Sequence, residues 1–191
     1  MTRRLTGEDR FWLYVVATST GFRAGELASL TPRSFALEGR RPVVHLRPED
    51  SKNDEGADQP LPAVILEGLG EYLAPKEPHR PVWPGSWADS PVDILRPDLA
   101  AASIPYVVEG PGGVPLFADM HSMRHTFVRL LDLAGASLKE AMQLARHKDP
   151  KLTMAIYGQA GADELAAKVD AVGADCFPSA SFLLPFRHAT G

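Results

Sequence analysis

The sequence predicts an α+β fold, mainly α-helical, with a small antiparallel β-sheet near its N-terminal third. Three observations carry this. Apolar residues recur at helical spacing through most of the chain, and residues 35–62 switch to short strand-like runs divided by polar turns. The third is size and composition: 191 residues, 45% hydrophobic and 23% charged, suit one well-buried core.

The first helix opens at Thr6-Gly7-Glu8-Asp9, a capping-box variant in which the Thr6 hydroxyl and the Asp9 carboxylate each satisfy a free backbone donor. Phe11, Trp12, Tyr14, Val15 and Val16 carry it to about Thr18, and Gly21 breaks it. A short helix over 24–30 ends at Thr31-Pro32, because the residue before a proline is pushed out of helical geometry. Phe35-Ala36-Leu37, Val43-Val44-His45-Leu46 and Gln59-Pro60-Leu61 read as strands, separated by Glu38-Gly39-Arg40-Arg41 and a polar turn over 51–56.

Residues 63–73 return to helical spacing, and the stretch 75–91, rich in proline and tryptophan, reads as a surface loop. Ser90-Pro91-Val92-Asp93 reads as a second capping box with proline at the first helical position, leading a helix whose apolar face holds Ile94, Leu95, Leu99 and Ala102. Residues 106–117, interrupted by Gly110-Pro111-Gly112-Gly113, form a loop or a short hairpin. Helices are expected at about 121–134, at 138–146 behind the Ser137-Leu138-Lys139-Glu140 capping box, at 150–157 and at 162–172; from Gly173 on there is no usable periodicity.

Composition narrows the function. No run approaches the roughly 20 apolar residues of a membrane helix, and Thr2-Arg3-Arg4 is followed by no apolar run of a signal peptide. Cys176, the single cysteine, excludes an internal disulfide and a multi-cysteine zinc site, so a reducing cytoplasm is the expected compartment. The net charge of −4 does not by itself suggest a nucleic-acid partner. It is unevenly spread, however: residues 119–160 carry six basic against four acidic side chains, and three of the six histidines.

Four groups of residues carry chemistry. Arg23 stands at a helix start with Glu26 one turn later, which by itself reads either as a surface ion pair or as a phosphate-binding fork held by a carboxylate. Lys52, in a turn between strands, alone reads as a solvated lysine. His121, Arg124 and His125 share one helix face; the two histidines at i,i+4 could ligate a metal, but no glutamate follows the first and no other ligands cluster nearby. The alternative is phosphate recognition, with Arg124 as clamp, His121 as proton handler and His125 as a buried, hydrogen-bonded histidine. His147 and Tyr157 complete the set, Tyr157 near a helix end beside Gly158. A tyrosine can attack a phosphodiester when cations neutralise the phosphate and an acid protonates the leaving oxygen.

In order, Arg23, Lys52, His121-x-x-Arg124, His147 and Tyr157 resemble the catalytic set of the tyrosine recombinase family, the phage-integrase type. TGFRAGELASL is similar to the family's first arginine box, HSMRHTFVRLL to its HxxR box and ARHKDPKLTMAIYG to its histidine and nucleophile box, while DSKNDEGADQPLP holds the hairpin lysine. The resemblance spans roughly residues 5–160.

It implies the following expectations. Tyr157 attacks the scissile phosphate, forming a 3′-phosphotyrosyl link and freeing a 5′-hydroxyl. Arg23 and Arg124 bind the non-bridging oxygens, His147 adds a hydrogen bond, Lys52 is the general acid, His121 assists proton transfer, and Glu26 supports Arg23. Double-stranded DNA is the partner, a homo-tetramer the working assembly, and neither metal nor other cofactor is needed. Residues 1–172 form the catalytic domain, with 162–172 passing to a neighbouring subunit and 173–191 as a tail.

The family's N-terminal DNA-clamping domain is expected to be absent, because Arg23 lies close to Met1. The chain then reads as a fragment, a natural short form or a degraded copy, and a non-catalytic DNA-binding relic is the alternative function. Asp50, Asp54, Glu55 and Asp58 are expected to crowd Lys52 and raise its pKa. A metalloenzyme built on His121 and His125 is the rival from another class.

Overall fold

The computed structural model describes residues 5–51 and 54–156. Helix α1 (Gly7–Thr20) begins at the expected capping box: Thr6 Oγ1 accepts from the Asp9 amide at 3.0 Å, and the Thr6 amide donates to Asp9 Oδ2 at 2.9 Å. Its inner face, Leu13, Val16 and Ala17, is fully buried. α2 (Ala24–Ser29) follows, then a three-stranded antiparallel sheet of β1 (Phe35–Ala36), β2 (Val43–Leu46) and β3 (Ala57–Pro60) in that spatial order. Phe35 pairs with Val44 and Val44 with Gln59; these three and Leu46 turn inward. β3 therefore starts two residues earlier than expected and stops before Leu61.

A 3-10 turn over Ala63–Ile65 leads into α3 (Leu66–Leu73), which buries Leu69, Tyr72 and Leu73. Tyr72 stacks on Trp12 of α1, with ring centroids 5.7 Å apart. The proline- and tryptophan-rich stretch is more than the expected surface loop. Val82, Trp83 and Trp87 are buried in the core, the Val82 amide donates to the Leu30 carbonyl (2.8 Å), and Trp87 Nε1 donates to the Trp83 carbonyl (2.9 Å). Two indoles bury enough apolar surface to hold an irregular segment inside a small core.

Helix α4 (Val92–Ala101) is anchored to α1 by Asp98, which accepts two bonds from Arg10 (2.7 and 3.0 Å) and one from Tyr14 (2.7 Å). The expected capping box at its start does not form. The Asp93 amide donates to the Ser90 carbonyl instead of the Ser90 hydroxyl, and Pro91 is the N-cap, not the first helical residue. Residues 106–117 resolve as a hairpin, β4 (Val107–Glu109) with β5 (Pro115–Phe117). Three helices close the described chain: α5 (Met120–Leu133), packed on α1, then α6 (Leu138–Ala145) behind the Ser137 cap and α7 (Pro150–Met154). α7 is shorter than expected, and the expected helix at 162–172 lies outside the described residues. Among the described residues no helix is long and apolar enough to cross a membrane.

Candidate active site

The site is built around one buried carboxylate. At the end of α1, Thr20 Oγ1 donates to the Val16 carbonyl (2.7 Å) and accepts from the Phe22 amide (3.2 Å). Gly21 then takes left-handed backbone, φ 65°, and its N–H closes the helix on Ala17. That turn sets Arg23 at the N-cap of α2, where its amide donates to Glu26 Oε2 (2.9 Å) and its Nη1 to Glu26 Oε1 (3.0 Å). Glu26 is only 2% exposed. The surface ion-pair reading therefore fails: the carboxylate is withdrawn from water and holds a second arginine, Arg146, whose Nη2 donates to Oε2 at 2.6 Å.

Arg124 reaches the same place from α5. Asp119 caps that helix, accepting from the Ser122 amide (2.8 Å), and Phe127 and Val128 are buried on its inner side. Arg124 shares that side and is 1% exposed. Its Nη1 donates to the Gly21 carbonyl (2.6 Å), its Nη2 to the Ala145 carbonyl, and its Nε to His147 Nε2 (3.2 Å). Burial, and then the neighbouring Arg23 and Arg146, push its pKa down to about 10, so it remains cationic at neutral pH.

His147 follows the left-handed residue Arg146 that ends α6. Its Nδ1 lies 2.8 Å from Thr153 Oγ1 on α7, a helix capped by Asp149. Because Nε2 accepts from Arg124, the neutral ring carries its proton on Nδ1 and donates it to Thr153. Burial, then Arg124, Arg23, His121 and His125, push His147 down to about 4. The imidazole is neutral at pH 7.

His121 and His125 meet edge to face, centroids 4.9 Å apart. Partial burial, then His125 and Arg124, hold His121 below the ordinary histidine range. His125 is exposed, contrary to the expectation of a buried histidine, because α5 turns its Arg124, Phe127 and Val128 side inward. Among the described residues, no three His, Cys, Asp or Glu side chains gather as a metal site.

Lys52 and Tyr157 lie outside the described residues. Of the four carboxylates expected to crowd Lys52, three pair with other residues: Asp50 with Arg47 (2.7 Å), Asp58 with His45 (2.6 Å) and Glu55 with Lys148 (2.9 Å). The structure thus brings together Arg23, Glu26, Arg124 and His147. Sequence reasoning missed Arg146 and Thr153. A lone arginine after an amphipathic helix carries no sign that it turns inward; a polar Thr153 between Leu152 and Met154 was the one available hint.

No protein-family profile matches the chain. Its fold is similar to that of solved recombinases and integrases. The XerH site-specific recombinase bound to palindromic difH substrate aligns with a TM-score of 0.62 at 17% identity, over 87% of this chain and 47% of that one. The Tn1549 transposon integrase in complex with transposon right end DNA aligns at 0.59 and 17%, over 87% and 59%, and XerA recombinase at 0.58 and 17%, over 90% and 65%. The chain has the fold of the tyrosine recombinase catalytic domain, as its α+β composition and its boxes implied. In sequence it is 25% identical, over 171 residues, to a probable site-specific recombinase in the afa region of Escherichia coli, covering 81% of this chain. The chain spans 64% of that relative's length.

Proposed function

We propose that this chain is the catalytic domain of a tyrosine-type site-specific recombinase, which breaks and rejoins double-stranded DNA through a 3′-phosphotyrosyl link. One observation carries the reading. Arg23 and Arg124, from boxes far apart in sequence, come together with His147, since Arg124 bonds both His147 and the Gly21 carbonyl two residues before Arg23. Solved proteins of similar fold include the Tn1549 integrase in complex with DNA, which supports DNA as the partner here.

In this mechanism the Tyr157 hydroxyl oxygen attacks the scissile phosphorus, a P–O bond to Tyr157 forms, and the bond to the 5′ oxygen breaks. Lys52 protonates that departing oxygen, while His121 assists removal of the tyrosine proton. Arg23 and Arg124 neutralise the charge that grows on the non-bridging oxygens, the largest single contribution expected in such chemistry. Glu26 holds the Arg23 fork in place. His147 donates to the phosphate once its proton moves to Nε2 and Nε2 exchanges the Arg124 Nε–H bond for the phosphate oxygen; Thr153 supports either tautomer, since a hydroxyl accepts from Nδ1–H in one and donates to Nδ1 in the other. A 5′-hydroxyl from another strand reverses the step, which needs neither metal nor nucleotide. A homo-tetramer on two DNA sites and action in the cytoplasm belong to the same proposal.

The test is covalent trapping on nicked duplexes of pooled random sequence, scored for denaturant-resistant adducts. Adducts without added metal, lost in Tyr157→Phe, are expected. Adducts that persist in Tyr157→Phe overturn the assignment.

A further inference from the structure

We infer that Arg146 is a positioning residue for Arg23, acting through Glu26 to keep the Arg23 fork free for an anion; the identity of that anion as a DNA phosphate rests on the recombinase reading. Arg146 sits at φ 53°, ψ 41°, left-handed backbone in which a side chain is strained and glycine is the easy choice. Its side chain does not escape to solvent. It is 13% exposed, lies 4.4 Å over the Phe22 ring, and pairs with Glu26 at 2.6 Å. A strained backbone and a buried cation at one residue mark a position held for its side chain.

The sharing of Glu26 has a direct electrostatic consequence. Oε2 is taken by Arg146 and by the Arg23 amide, which leaves Oε1 to the Arg23 side chain. Arg23 therefore touches the carboxylate through Nη1 and keeps its other donors, on a side chain that is 29% exposed. Without Arg146, Glu26 is free to pair with both edges of the Arg23 fork and draw it off an incoming phosphate. Two guanidiniums, Arg23 and Arg146, bond this one carboxylate, while Arg124 bonds Gly21, Ala145 and His147 and only feels the Glu26 charge, so three cations stand near one anion and the cluster carries a net +2. Arg146 Nη1 is buried with no hydrogen-bond partner among the described residues. A buried excess of positive charge with an unspent donor is a poor structural device and a good anion trap. Burial and Arg23 lower the Arg146 pKa against the pull of Glu26, and Arg146 in turn lowers that of Arg124, so the three cations feel one another.

The experiment uses the full chain and two readouts. Inorganic phosphate is titrated against the melting temperature, and the rate of Tyr157 adduct formation is measured at saturating DNA, for wild type, Arg146→Gly, Arg146→Lys, Glu26→Gln and the Arg146→Gly/Glu26→Gln pair. Arg146→Gly, which removes the backbone strain, is expected to weaken phosphate binding about tenfold and slow cleavage about tenfold without changing the DNA concentration needed for half-saturation. Arg146→Lys recovers part of both. The double variant loses less than the sum of the singles, because both act on one contact. Phosphate affinity and cleavage within twofold of wild type in folded Arg146→Gly overturn the inference, as does a wild type indifferent to phosphate in the melting assay. Arg146-dependent phosphate binding with no Tyr157 adduct retires the recombinase reading alone; adducts indifferent to Arg146 retire this inference alone.

Discussion

Arg124 Nη1 donates to the carbonyl oxygen of Gly21 at 2.6 Å across 103 residues of sequence. The bond joins the turn that presents Arg23 to the helix that presents Arg124, so the two cations are set by one contact. Gly21 is doubly constrained: its φ of 65° disfavours a side chain, and a Cβ there would meet Phe127 Cδ1 at 2.6 Å. Gly21→Ala is expected to cost about 2–3 kcal/mol and to slow cleavage more than stability alone explains. Urea unfolding with an unchanged m-value, alongside adduct yield below the transition, checks both.

Arg124→Lys keeps the charge and removes the planar fork that spans two carbonyls and an imidazole. Cleavage should fall by about 10²-fold, the scale of losing one transition-state donor. Stability should fall by about 2 kcal/mol as buried carbonyls lose partners. Single-turnover cleavage within a few-fold of wild type would exclude any role for the fork.

Thr153 is fully buried and its hydroxyl meets His147 Nδ1. Thr153→Val preserves shape, deletes the exchange partner and leaves the ring proton without an acceptor. Cleavage is expected to drop about tenfold and stability by about 1 kcal/mol, with Thr153→Ser restoring most of both. Equal activity of the valine and serine variants would dissociate the hydroxyl from the reaction.

His147 titrates near 4 in the folded chain against an ordinary 6.5. As pH falls, the unfolded chain takes up this proton first. The associated stability is therefore complete above about pH 6.5 and is lost between 6.5 and 4. His147→Gln should flatten the pH dependence of the urea midpoint in that window; a slope identical to wild type would show that His147 is not its source.

Far from the site, Asp9 joins the α1 cap to Tyr72 (2.8 Å) and Lys76 (2.9 Å). Burial raises its pKa, but bonds from Lys76, Thr6 and Tyr72 outweigh it and hold the carboxyl well below the usual range. Asp9→Asn should lower stability by about 2 kcal/mol while leaving cleavage at low temperature unchanged. Reduced cleavage by the folded variant would place Asp9 in the site's framework.

Much of this molecule is local and therefore legible in its chain. The Thr6 and Ser137 caps, the Gly21 stop, the alternation at Val43–Leu46 and the pairing of Arg23 with Glu26 involve residues within a few positions of one another, where backbone sterics and side-chain reach leave few options. The order of the arginine, histidine and tyrosine boxes is also a property of sequence alone. Burial and long-range partnership are not. Whether Glu26 is a surface carboxylate, whether residues 75–91 lie outside or carry Trp83 into the core, and whether Arg146 turns toward Phe22 or toward water depend on which elements pack together. Those choices follow from the total apolar area buried and from the few geometries that satisfy Arg124 against Gly21 and Ala145. The sequence determined which chemical groups this protein has and in what order; tertiary structure decided that Arg23 and Arg146 share one buried carboxylate with Arg124 beside them, because only packing brings charges from the α1–α2 turn, α5 and the end of α6 into a space where water screens them less.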